Sequence, residues 1–196
     1  MLGVFLDSET NGLDIQKHRI IELAYKIVDL QTGEVLDTFD TPFLLTLREW
    51  KKSDLSSLRI NGFSWDDLKD GMQPSQAAEM IQSSFERFEI KRDRAVFICQ
   101  NSSFDRAFFS QLIGSDRQEY LGWPYHWLDL ASMYWCRCIR EEGRLPWKNG
   151  VSKNTIALAL GLPPEPYPHK AMNGVNHLIV CYEAVVGFPG KSQSLT

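Results

Sequence analysis

The sequence predicts an α/β domain in which a mixed five-stranded sheet is flanked by helices, and two patterns carry that expectation. An antiparallel set of strands comes first: Val4-Phe5-Leu6, an apolar segment within Arg19 to Asp29, and a return strand from Val35 to Phe39. Strand–helix alternation follows, with Ala95 to Cys99 and Trp127-Leu128-Asp129 as the later strands.

Each element has a local reason. Val4-Phe5-Leu6 is a buried run that stops at Asp7, so a strand opens there into a functional edge. Gln31-Thr32-Gly33-Glu34 is a turn signal between the second and third strands. Lys51 to Gln73 is polar and predicts only small helical pieces, one of them capped by Ser64 and ended near Gly71. Pro74-Ser75 starts a longer helix whose Ala77, Ala78, Ile81, Phe85 and Phe88 recur at helical spacing. Phe104 to Ile113 reads as a helix stopped by Gly114, and Trp127-Leu128-Asp129 runs into a helix through Ile139. Lys153 to Leu160 forms another, stopped by Gly161. Pro163, Pro164, Pro166 and Pro168 keep the next stretch extended or turning, and a last helix runs from about Lys170 to Val186. Gly187 to Thr196 reads as a frayed tail.

Composition bounds the function. The chain has 196 residues, 43% hydrophobic and 23% charged, an ordinary folded mix. No apolar run approaches the roughly 18 residues of a membrane span, and no basic segment precedes the first apolar stretch. Cys99, Cys136, Cys138 and Cys181 lack disulfide-framework spacing, so a reducing, cytoplasmic setting is expected. The net charge of −4 is unusual for a nucleic-acid binder, but bound cations can supply the positive charge that phosphate needs.

Asp7 and Glu9 stand one residue apart at a strand end, so their side chains share a face. Two carboxylates on one face repel unless a cation lies between them. Oxygen-only donors suit Mg²⁺ or Mn²⁺, and two such ions about 3.5–4 Å apart can promote phosphodiester hydrolysis. A D-x-E pair by itself is most often a solvated strand end, so the surrounding residues decide. Arg48, Lys51, Lys52 and Arg59 cluster around Trp50, where a nucleic-acid contact and a solvated basic face both remain open. Trp123, Tyr125, Trp127, Tyr134 and Trp135 form an aromatic-rich segment that is expected to be mostly core.

Phe5-Leu6-Asp7-Ser8-Glu9-Thr10-Asn11-Gly12-Leu13-Asp14 resembles the first motif of the DEDD exonuclease superfamily, in the branch that uses histidine. Ile20-Ile21-Glu22-Leu23-Ala24 is similar to its second strand, and Ile60-Asn61-Gly62-Phe63 to the segment before its first long helix. Val96-Phe97-Ile98-Cys99-Gln100-Asn101-Ser102-Ser103-Phe104-Asp105 resembles the second motif, with Gln100 where histidine is common. The third motif of that branch is His-x-Ala-x-x-Asp-Ala. Here His169-Lys170-Ala171-Met172-Asn173-Gly174-Val175 keeps the histidine and first alanine and places Gly174 at the acid's position.

The resemblance implies a ribonuclease-H-like exonuclease fold over residues 1–187, with 188–196 as a C-terminal tail. It implies a 3′→5′ exonuclease that uses two Mg²⁺ or Mn²⁺ ions on DNA or RNA. Asp7, Glu9, Asp105 and His169 would be catalytic, with His169 as general base. Asp7, Glu9 and Asp105 would hold metal, and the Asn173 amide is one candidate for the missing fourth ligand. Thr10, Asn11, Gly12, Leu13, Asn61, Asn101 and Phe104 would contact substrate, and Asp129 would be structural. The expected partner is a nucleic acid with a 3′ end, single-stranded by preference, together with a polymerase or repair protein and no membrane. The alternative is a catalytically weakened module of the same fold that binds nucleic acid or a polymerase.

Overall fold

Leu2–Thr10 (β1) lies at the centre of the sheet in the computed structural model, which describes residues 1–143, 145, 146 and 150–191. Ile20–Asp29 (β2) and Val35–Pro42 (β3) extend it on one side as the expected antiparallel meander. Ala95–Cys99 (β4) pairs parallel to β1, and Trp127–Asp129 (β5) parallel to β4, giving the order β3-β2-β1-β4-β5. A central strand is covered on both faces, which is why Val4, Phe5 and Leu6 are a continuous apolar run rather than an alternation.

The pleat divides that run between two cores. Val4 and Leu6 pack with Tyr25, Phe85, Phe97, Phe109 and Trp123 beneath Pro74–Arg87 (α4) and Ser102–Leu112 (α5). Phe5 faces the other way, with Ala24 and Ile98, beneath Leu130–Glu142 (α7), Lys153–Ala159 (α8) and Ala171–Val185 (α9). Helices on both faces of a mixed sheet make the ribonuclease-H-like exonuclease architecture expected from the sequence.

The connection from β3 to α4 carries Leu47–Trp50 (α1), Leu55–Asn61 (α2) and Trp65–Leu68 (α3). Cap chemistry explains their short lengths. Thr46 and Glu49 form a capping box on α1, Asp54 caps α2, and Ser64 and Asp67 box α3. Gly62 closes α2 in the left-handed region, at φ +67°. Gly114 stops α5 as expected, but it also caps Ser115–Tyr120 (α6), a helix too short to leave a periodic signature.

The aromatic segment is mostly core: Trp123 and Tyr134 are buried and Trp127 stacks on Phe97, with ring centroids 4.1 Å apart. Trp50 leans on Trp65 beside Phe63 and Leu68, which makes it an internal anchor rather than a free stacking platform. The tail reading needs one correction. Phe188 is buried against Tyr182, and the Gly190 N–H donates to the Gln31 carbonyl, because an aromatic side chain there completes the α9 core. Residues 192–196 lie outside the described residues. Among the described residues, no helix is long and apolar enough to cross a membrane, and the four cysteines are free.

Candidate active site

The register between β1 and β4 opens the site. Their pairing runs only from Leu2 with Ala95 to Phe5 with Ile98, so β1 projects beyond its parallel neighbour from Leu6 onward. Crevices at the carboxyl ends of parallel strands are where α/β folds place their chemistry. Asn101 reverses the chain after β4 with φ +61° and ψ +58°, a left-handed conformation that asparagine tolerates better than most residues. That reversal aims α5 back along β1 and brings Asp105 to the projecting end.

A cleft of about 440 Å³ results, lined by Asp7, Glu9, Asp105, Lys153, Glu165 and His169, with Asn101 and Phe104 at its mouth. Asp105 is buried and accepts a 2.7 Å hydrogen bond from Ser8 Oγ. Asp7 Oδ1 accepts from Lys153 Nζ at 3.0 Å. Lys153 Nζ also lies 3.2 Å from Glu165 Oε2, and the three side chains are only 13%, 11% and 1% exposed respectively for Asp7, Lys153 and Glu165. His169 Nδ1 stands 3.6 Å from Glu165 Oε1. Glu165 Oε1 is buried without a hydrogen-bond partner and faces that ring. His177, buried behind, bonds the Pro163 carbonyl through Nε2 at 2.9 Å.

Every acid that forms the mouth of β1 is held against ionisation. Burial pushes the Glu9 carboxyl up to about 8, and the neighbouring Asp7 and Glu22 carboxylates add to it. Burial also raises Asp7, opposed by the Lys153 ammonium, and raises Asp105 well above the carboxylate range, helped by Asp7. Burial alone would depress Lys153, but Asp7 and Glu165 more than reverse this and hold its ammonium above the ordinary value.

These shifts have a sign in stability. A folded-state carboxyl raised above its unfolded value stabilises the fold below the unfolded pKa, and that contribution disappears as pH rises through the folded pKa. For Glu9 the window runs from 4.5 to about 8. Protein kept in chelator is therefore expected to lose stability on the order of a few kcal/mol across that window. Added Mn²⁺ should suppress the loss, because a bound cation favours the ionised acids. Thermal melts at several pH values, with chelator or with Mn²⁺, check this. A melting temperature that climbs with pH in chelator would contradict it.

Asp7, Glu9 and Asp105 converge on one cleft with oxygen donors, of which Glu9 and Asp105 are held against ionisation by burial and by the neighbouring acids, and that chemistry fits one divalent cation. Gly174 brings no donor, and a Cβ built there would lie 2.0 Å from Asp7 Oδ2. Among the described residues, no three of His, Cys, Asp and Glu already stand in metal-holding arrangement.

The other expected site residues fall into two groups. Asn101 and Phe104 line the cleft. Thr10, Asn11 and Asn61 do not; their side chains are engaged internally. Thr10 Oγ1 donates to the Gly12 carbonyl, and Asn61 Nδ2 donates to the Thr10 carbonyl at 3.0 Å. Asn11 Nδ2 donates to the Glu49 carbonyl and to Ser53 Oγ, while Asn11 Oδ1 accepts from the Arg19 N–H. These three fix the loop after β1, and the Asn61 side chain also bonds the Glu9 carboxyl. Gly12 is required by close approach, since a Cβ there would meet the His18 ring at 2.5 Å. Leu13 is 72% exposed beside that turn. Asp129 is structural as expected: it caps α7 and accepts from the Asn101 N–H at 2.8 Å.

Asn173 is a correction. It does not line the cleft. The buried stripe of α9 runs through Ala171, Gly174, Val175 and Leu178, and Asn173 is about 100° of helix rotation away from Gly174. Lys153, Glu165 and Ser8 were missed. Glu165 had one sequence signal, an acid among four prolines and four residues before His169. Glu22 is a further positioning group: Glu22 Oε2 accepts from the Ala171 N–H at 2.7 Å and pins the start of α9 to β2.

Comparisons with known proteins agree with this architecture. A family profile described as RNase_T exonuclease matches residues 4–121, which contain Asp7, Glu9 and Asp105. E. coli exonuclease I in complex with a dT13 oligonucleotide superposes with a TM-score of 0.72 at 18% identity, over 94% of this chain and 40% of that one. The zinc-ion-bound form of the E. coli exonuclease I complex with single-stranded DNA gives 0.71 at 18%, with the same coverages of 94% and 40%. A 3′-exonuclease that recognises the histone mRNA stem-loop gives 0.71 at 14% identity, over 96% of this chain and 65% of that one. This chain thus spans less than two thirds of either protein. No curated protein sequence matches it.

Proposed function

We propose, from the premise that this chain belongs to the RNase_T exonuclease family, that it removes nucleotides from the 3′ end of single-stranded nucleic acid. The observation that carries the reading is the convergence of Asp7, Glu9, Asp105 and His169 on one cleft at the end of β1. The neighbours that bind a single-stranded oligonucleotide or recognise an RNA 3′ end support the choice of substrate class.

In this reading Asp7, Glu9 and Asp105 hold a divalent cation, Mg²⁺ or Mn²⁺, which when bound stabilises charge on the reacting phosphate. His169 belongs to the histidine-type pattern and takes the proton from the attacking water through Nε2. Glu165 positions that ring and is a positioning residue, not a catalytic one. Ser8 holds Asp105 toward β1. Phe104 and Asn101 sit where a splayed terminal base and its phosphate can rest.

A weakened binding module is the second reading, and one observation favours it: Asp7 is already paired with Lys153. Single-stranded DNA and RNA, labelled at either the 3′ or the 5′ end, separate the two readings. With Mn²⁺ present, a 3′ label is expected to appear at once as mononucleotide, while a 5′-labelled strand shortens as a ladder. Cleavage of a circular strand contradicts end dependence. Retention of every strand without cleavage favours the binding module.

A further inference from the structure

The register of the third motif puts Gly174 where the resemblance implies an acid, and the geometry shows what stands there instead. A Cβ built on Gly174 would lie 2.9 Å from Lys153 Nζ and 2.0 Å from Asp7 Oδ2. The Asp7 carboxylate, with the Lys153 ammonium beside it, therefore fills the space in which a side chain at 174 would begin. The ammonium bonds Asp7 on one side at 3.0 Å and faces Glu165 on the other at 3.2 Å. Ser152 caps α8 through its bond to the Thr155 N–H, which fixes the helix that carries the lysine.

We propose that Lys153 is a built-in cation that replaces one of two metal ions, so that this cleft binds a single divalent ion. The inference rests on the nuclease reading of the same cleft. Three observations support it beyond the salt bridge itself. On the side of Asp7 that faces α9, position 174 supplies no acid, and the nearby Glu165 is already turned to the ammonium. A second divalent ion on that side would have to replace the ammonium that Asp7 and Glu165 already share, and it would find no oxygen donor at position 174. Lys153 is buried, and a buried ammonium persists only when its partners are fixed; Glu165 is fixed by its own N–H, which donates to Asn154 Oδ1 at 2.8 Å. Glu9 and Asp105 line the same cleft as Asp7 and are the acids left to complete the one ion's oxygen donors.

The full chain titrated with Mn²⁺ tests this, by calorimetry for stoichiometry and by electron paramagnetic resonance for ion pairing. One ion per chain is expected, with the spectrum of an isolated Mn²⁺. Two ions about 3.5–4 Å apart would instead give an exchange-coupled spectrum. The double variant Lys153→Ala/Gly174→Asp, checked for folding by circular dichroism in the presence of Mn²⁺, is expected to bind two. Two coupled ions in the unaltered chain overturn the lysine's role and leave the nuclease reading standing. No bound ion and no degradation overturn the nuclease reading, and the inference with it. The unaltered chain decides the question whether or not the double variant folds.

Discussion

An Asp7→Asn variant is expected to degrade 3′-labelled single strands roughly 10²–10³-fold more slowly than the unaltered protein, at equal Mn²⁺ and with its fold retained. Asparagine has nearly the shape of aspartate, and its amide oxygen can still accept from Lys153, so the buried geometry around Gly174 is kept. What it loses is the charge at the point where the strand β1, the helix α9 and the lysine meet. No neighbouring group can replace it: Glu9 and Asp105 are already held against ionisation by burial and by like charges. The measurement compares initial rates for the two proteins purified side by side. A variant within about tenfold of the unaltered rate would show that the chemistry lies elsewhere.

Lys153→Met is expected to destabilise the protein by about 3–5 kcal/mol, the cost of leaving a buried charge without its partner. Methionine matches the length of the lysine stem, so little packing is lost. The cost is electrostatic, because Asp7 and Glu165 both face the ammonium and are themselves almost fully buried. For a chain of 196 residues that corresponds to a fall in melting temperature of roughly 10 °C. Lys153→Met/Glu165→Gln is expected to recover part of the loss, since the most deeply buried acid is then neutral. Urea unfolding of the three proteins checks both statements. A single variant that moves stability by less than about 1 kcal/mol would class the contact with screened surface pairs.

The sequence carried the sheet, its long helices and two of the three chemical motifs. Val4-Phe5-Leu6, the stripe Ala77, Ala78, Ile81 and Phe85, and the caps at Ser64 and Pro74 act over a few residues, so they are legible without the rest of the chain. The spacing of Asp7 from Glu9, and of Asn101 from Asp105, is local in the same sense. The short helices α1 and α6 were not legible, because one or two turns hold no full period. Thr10, Asn11 and Asn61 belonged to the right motifs, but the hydrogen bonds that hold their side chains were not legible. Their partners Glu49, Ser53 and one another come together only after the β3-to-α4 connection folds over the end of β1.

What the sequence by itself determined is which residues can carry charge to the end of β1, since strand alternation and the turn after β4 aim Asp7, Glu9 and Asp105 there whatever else the chain does. What only the tertiary structure decided is how that charge is balanced. Lys153 lies 146 residues from Asp7 in the chain and reaches it because α8 packs beside α9, on the face where Gly174 leaves room. No local pattern encodes such a pairing: the neutralisation of a buried carboxylate depends on which side chains the packing of distant helices brings within a few ångströms, and that is fixed by the whole core.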